Sequence, residues 1–131
     1  MLLLVAAGSA GALIAAGLPR ETAASNYPPV GKTAVVDFGA AKFNLHFLDG
    51  RTMSFEDASG AFKRVKDTVQ YQAVEIGPKL YMVYWHEPST GSNVVHVQDW
   101  NSGTVYTNIA AKDGSFLHLK GTIRLRPRGG L

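Results

Sequence analysis

From residue 33 onward the chain alternates apolar and polar positions in short runs separated by turn-forming residues. Side chains on a strand point alternately to opposite faces, so this period-two pattern predicts half-buried strands. Eight are expected: Thr33–Phe38, Lys42–Leu48, Arg51–Glu56, Thr68–Ile76, Leu80–His86, Asn93–Trp100, Thr104–Ala110 and Ser115–Leu125. The joints between them carry Gly, Pro, Asp and Asn. Asp49-Gly50 is the sharpest, because a two-residue hairpin turn needs positive φ and these residues accept it at little cost. Only Ala58–Lys66 interrupts the series, as a short helix or an Ω-like connection with Phe62 turned inward. After Leu18 no segment keeps a helical apolar period.

Eight consecutive short strands joined by tight turns predict an all-β fold, an eight-stranded antiparallel up-and-down barrel, with an open sandwich as the alternative. Closure removes the unpaired edges that an open sheet would expose. An eight-stranded barrel has an interior that side chains can fill, or that holds one small ligand. Phe43, Leu45 and Phe47 form an apolar face, and Val105, Thr107 and Ile109 another. On Thr68–Ile76 both faces are mixed, Val69/Tyr71/Ala73/Glu75 against Gln70/Gln72/Val74/Ile76, which suits an amphipathic lumen. A one-residue slip would invert each of these assignments.

The segment with most chemical content is Tyr81-Met-Val-Tyr-Trp-His-Glu-Pro-Ser-Thr-Gly91. Alternation places Tyr81, Val83, Trp85 and Glu87 on one face and Leu80, Met82, Tyr84 and His86 on the other. A carboxylate ending an aromatic ladder is either a strand-end charge in water or a group of a binding or catalytic site. Desolvated, it would have a raised pKa and could move protons near neutrality.

Charge and composition narrow the alternatives. Of 131 residues, 46% are apolar and 18% charged, the balance of a single globular domain. The formal charge of +3 resides in Arg124, Arg126 and Arg128 of the tail, and without them the net charge is zero. No basic stripe with interleaved aromatics is present, so no nucleic-acid partner is expected. The absence of cysteine excludes disulfides, thiolate metal sites and cysteine nucleophiles. His46, His86, His96 and His118 fall singly on strands without metal-ligand spacing, so no metal site is expected. Serines lie in turns outside any G-x-S-x-G context. Residues 1–24 combine an uncharged, Ala- and Gly-rich run with Leu18-Pro19 and a small-residue stretch ending at Ala24. That is the pattern of a signal peptide's apolar and cleavage regions, though no Lys or Arg precedes Leu2. The expectation is export to the periplasm or beyond with residues 25–131 as the mature domain, free of the membrane after cleavage. An uncleaved anchor and a cytoplasmic chain are the alternatives.

Four stretches, read together, carry a family resemblance: Phe43-x-Leu-x-Phe-Leu-Asp-Gly-Arg-Thr-Met-x-Phe55, Val69-x-Tyr-x-Ala-Val-Glu-Ile-Gly-Pro-x-x-Tyr-Met-Val-x-Trp-x-Glu-Pro88, Val94-Val-His-Val-x-Asp-x-x-x-Gly-Thr-Val-Tyr-Thr-Asn-Ile109 and Gly114-x-Phe-Leu-x-Leu-Lys-Gly121. In order and spacing the chain resembles the small single-domain MoaF-like proteins, related to the domains of molybdenum cofactor biosynthesis protein F. The resemblance spans roughly Gly31 to Ile123 and implies a lipocalin-like barrel of the calycin type. Tyr81 to Gly91 is also similar to part of the bacterial phenolic acid decarboxylases, a related barrel family. There the glutamate of a Trp-x-Glu-Pro run lies in the cavity and takes part in proton transfer, which implies a lumen position for Glu87 and Trp85. That family has two tyrosines on the first barrel strand, where this chain has Leu45 and Phe47. It also has an arginine that grips the substrate carboxylate, and Val69 to Lys79 contains none. Decarboxylation of hydroxycinnamates is therefore not expected.

Three functions follow as expectations. The first is a barrel binding a small hydrophobic or aromatic ligand without a cofactor. Tyr71, Tyr81, Trp85 and Glu87 would line the cavity mouth, and Phe47, Val83 and Val95 would complete the ligand contacts. The second is a cofactor-independent isomerase, cyclase or lyase with Glu87 as its acid/base group, which requires Glu87 to be buried and bonded to a tyrosine. The third is an envelope interaction module, a homodimer for example, with an apolar outer patch around Leu80, Met82 and Tyr84.

Overall fold

The computed structural model describes residues 26–127, and the strands within them close into one antiparallel barrel in sequence order. These are β1 (Lys32–Asp37), β2 (Lys42–Phe47), β3 (Thr52–Asp57), β4 (Lys66–Gly77), β5 (Leu80–Glu87), β6 (Ser92–Asp99), β7 (Thr104–Ala110) and β8 (Phe116–Pro127). Each matches an expected strand to within two residues at either end. The expected signal segment, residues 1–24, and the end of the basic tail lie outside the described residues.

Two long strands make the closure. β4 pairs with β3 through Lys66–Gln70 and then with β5 from Tyr71 onward. β8 pairs with β7 through Phe116–Thr122 and with β1 through Thr122–Pro127. Each therefore changes partner halfway along its length. At the turning point of β8 sits Gly121, where a Cβ would overlap the Asp37 carbonyl oxygen and press on the Phe38 ring. Only glycine allows backbones that close.

Alternation decides which face is inside. Leu45 and Phe47, Met53 and Phe55, Tyr81, Val83 and Trp85, and Val105 are buried in the interior. The mixed faces of β4 resolve in favour of Val69, Tyr71 and Ala73, while Ile76 stands exposed on the outer side. The lumen is amphipathic, as its polar residues Gln98, His96 and Thr107 show, but that polarity comes from β6 and β7 and not from β4.

The β3–β4 connection is not helical. Asp57 ends β3 buried, and its carboxylate accepts hydrogen bonds from the backbone N–H of Ser59, Gly60, Phe62 and Arg64 and from the Ser59 hydroxyl. Burial alone would raise its pKa, but the bonds from Ser59, Phe62 and Arg64 outweigh that and hold the carboxyl well below the usual range. This cluster fixes Lys63 and Arg64 at φ 58° and 59°, which non-glycine residues seldom adopt. Phe62 then turns inward and packs on Phe43, ring centroids 5.4 Å apart.

Replacing Gly121 by Ala is expected to cost about 2 kcal/mol or more by chemical denaturation, because backbone and not a flexible side chain occupies the space. Unchanged stability would mean that β1 and β8 are not closed as described.

Candidate functional site

The two ends of the barrel differ. At the end where β1, β3, β5 and β7 begin, the segment before β1 folds across the opening and inserts Tyr27. Its ring packs against Phe47, Tyr71 and Tyr81 at centroid distances of 5.4, 6.1 and 5.0 Å. The three hydroxyls are all bonded: Tyr27 donates to Gln98 Oε1 at 2.8 Å, Tyr71 to the Asp49 carbonyl at 2.7 Å and Tyr81 to the Asn26 carbonyl at 3.2 Å. Burial removes the phenols from water and pushes the pKa values of Tyr27 and Tyr71 well above the ordinary range. This end is filled and sealed.

The opposite end is hollow. A vestibule of about 310 Å³ opens there between Phe43, Phe55, Phe62, Val65, Ile109 and Leu117. Beneath it an inner chamber of about 30 Å³ reaches down to Trp85, His96 and Thr107. Phe43, Phe55, Glu87 and Ile109 belong to both walls, so the two spaces form one stepped cup. The anchored β3–β4 loop supplies one side of it through Phe62 and Val65.

Glu87 stands at the step, 9% exposed. Trp85 donates its indole N–H to Oε2 at 3.0 Å, and the Thr90 hydroxyl donates to Oε1 at 2.9 Å. Two residues apart on β5, Trp85 and Glu87 share a face, which is why the indole reaches the carboxylate. Burial raises the Glu87 pKa; the bonds from Trp85 and Thr90 pull it back only in part. Among the described residues, no Lys or Arg lies within ion-pairing distance of it.

His96 and Thr107 face each other across the β6–β7 ladder. His96 is enclosed by Trp85, centroid distance 4.9 Å, and by Phe38. Burial lowers its pKa to about 3, so the imidazole is neutral. Thr107 is 1% exposed, and its hydroxyl has no hydrogen-bond partner among the described residues.

The expected site residues divide among three places. Trp85 and Glu87 line the cup. Phe47, Tyr71 and Tyr81 lie at the sealed end, and Val83 is packed in the core between the ends. Val95 is on the outer face, 36% exposed, because its neighbours Val94 and His96 take the inward positions of β6. Glu87 is buried, but its partners are a tryptophan and a threonine and not a tyrosine. His96, Thr107 and Tyr27 were not singled out from sequence. A histidine and a threonine in the inward register of adjacent strands, and Tyr27-Pro-Pro just before the first strand, are the signals that could have found them. Leu80, Met82 and Tyr84 face outward, each half-buried.

Glu87→Gln keeps both hydrogen bonds, since its amide can accept from Trp85 and donate to Thr90. The native carboxyl has a folded pKa above its ordinary 4.5, so the fold loses stability as pH rises from about 4.5 to the folded pKa, and the loss stays constant above it. The variant is expected to melt higher than the native protein near pH 8, with the gap closing below about pH 4. A lower Tm for the variant at pH 8 would show that Glu87 is ion-paired and not desolvated.

The architecture recurs in a solved structure. The chain is similar to a crystal structure described as a "putative beta-lactamase" from Burkholderia vietnamiensis, with 27% sequence identity and a TM-score of 0.70, covering 76% of this chain and 96% of that one. Curated protein sequences provide no match. The model of the MoaF-like family matches residues 30–124, which takes in all of β1 to β7 and β8 through Arg124, and the chain belongs to the MoaF-like family.

Proposed function

We propose that this protein is a small-molecule-binding barrel whose site is the cup at the Glu87 end and whose ligand is a small apolar or aromatic compound. The observation that carries the reading is the asymmetry of the lumen: one end filled by Tyr27 and its aromatic neighbours, the other left as an apolar cup of ligand size. Ligand sites are concave and mostly apolar with a few placed polar groups, and a volume near 300 Å³ is at the small end of their range. An exported location remains part of the proposal, on the strength of the apolar run in residues 1–24.

Binding is favoured over acid/base catalysis by the company Glu87 keeps. The tyrosines that could have shared a proton with it are committed to carbonyl and amide oxygens at the sealed end. The name of the Burkholderia structure supplies no reaction here either. No S-x-x-K sequence occurs in the chain, and of the serines of the cup, Ser92 and Ser115, only Ser115 bonds a carboxylate. Its hydroxyl donates at 2.7 Å to Asp113 of its own exposed turn, whose pKa is lowered, which makes it a poor base.

N-phenyl-1-naphthylamine, an uncharged probe that fluoresces in apolar surroundings, tests the site. The native protein is expected to bind it saturably, Ile109→Trp to fill the cup and abolish the signal, and Val95→Trp, on the outer face, to leave it intact. Equal signals from the two variants would place the probe elsewhere and refute the cup.

A further inference from the structure

The sealed end determines which nitrogen of His96 carries its proton. Tyr27 donates its hydroxyl proton to Gln98 Oε1, so Gln98 presents its amide nitrogen to His96 Nδ1, at 3.2 Å. An amide nitrogen donates and does not accept, so Nδ1 must offer its lone pair. Turning the Gln98 amide over would leave the buried Tyr27 proton without an acceptor, a costly arrangement. The neutral ring therefore holds its proton on Nε2, which has no protein partner among the described residues. His96 lines the inner chamber, and directly opposite it in the ladder is Thr107, whose hydroxyl is likewise unpartnered.

We propose that His96 Nε2–H and the Thr107 hydroxyl form a paired donor site for one oxygen of the ligand, a carbonyl or hydroxyl on an uncharged molecule whose apolar body fills the vestibule. This rests on the cup being the ligand site and adds the ligand's chemistry to it. The inner chamber has room for a head group of one or two heavy atoms. Buried polar groups without partners are rare in native proteins, and an orphan hydroxyl facing a cavity is accounted for when a ligand completes it. A carboxylate head is excluded by charge. Glu87 is the single formal charge on the described walls of the cup, and no cation there offsets a second anion. Tyr27 and Gln98 act as positioning residues, since they touch the ligand only through the tautomer they impose.

Three ligands of similar shape separate the outcomes by isothermal titration calorimetry: 4-phenyl-2-butanone, propylbenzene and 3-phenylpropionate. The ketone is expected to bind about tenfold tighter than the hydrocarbon, and the carboxylate weakest of the three. Thr107→Val removes the hydroxyl while keeping the shape. It is expected to reduce the ketone's advantage to about threefold or less, leave propylbenzene unchanged, and match or exceed the native Tm, because the orphan hydroxyl is gone. Imidazole ¹⁵N spectra of the native protein are expected to show the Nε2–H tautomer for His96. An Nδ1–H tautomer, equal binding of ketone and hydrocarbon, or a ketone advantage that survives Thr107→Val would overturn the proposal while leaving the cup in place. Failure of all three ligands to bind would remove the cup as a site, and this proposal with it.

Discussion

A closed eight-stranded barrel has an interior of nearly fixed cross-section, and the inward side chains must either fill it or leave a cavity. In this protein they do both, at different heights. Tyr27 is the residue on which the difference turns, because it comes from outside the barrel and adds an aromatic ring to an end already holding Phe47, Tyr71 and Tyr81. No corresponding plug closes the other end among the described residues. There the β3–β4 loop, pinned by Asp57, stands at the side of the opening and contributes a wall. Filling one end with well-packed aromatics stabilises the fold, and the hollow end is what remains for a ligand.

Much of this was legible in the sequence, and the limit has a physical cause. Alternation names which residues share a face, and it grouped those that β2, β5 and β7 turn inward; that the Trp85–Glu87 face of β5 is the inner one was implied by the family resemblance. It does not name height along the barrel axis. Tyr81 and Glu87 share a face of one strand but lie six residues apart, about 20 Å at the rise of an extended chain. A common face thus placed both at one mouth, where the structure puts them at opposite ends. Val95 failed differently, by a one-residue parity on β6 that Val94 and His96 decide. Tyr27 and the His96–Thr107 pair escaped notice because their roles depend on contacts across the lumen, such as the 71-residue separation between Tyr27 and Gln98.

The polar groups of the lumen form one connected system. From the sealed end, the Tyr27 hydroxyl sets the orientation of Gln98, and Gln98 sets the tautomer of His96. From the rim, Trp85 joins Glu87 to the same enclosure, since its indole both bonds the carboxylate and packs edge-on against the His96 ring. Desolvation pushes the glutamate and the histidine the same way, toward their uncharged forms. A chamber with so little charge is suited to recognition by hydrogen-bond direction and shape.

The central claim is that ligand enters the hollow end and that the Tyr27 end stays shut. The two tryptophans of the chain mark these places separately. Trp85 donates its indole N–H to Glu87 inside the cup, whereas the Trp100 indole nitrogen is buried without a partner among the described residues, beside the β6–β7 turn at the sealed end. In a ¹H–¹⁵N correlation spectrum, titration with 2-phenylethanol is predicted to move the Trp85 indole resonance progressively and to leave that of Trp100 in place. Movement of Trp100 with Trp85 stationary, as the ligand binds, would contradict the account.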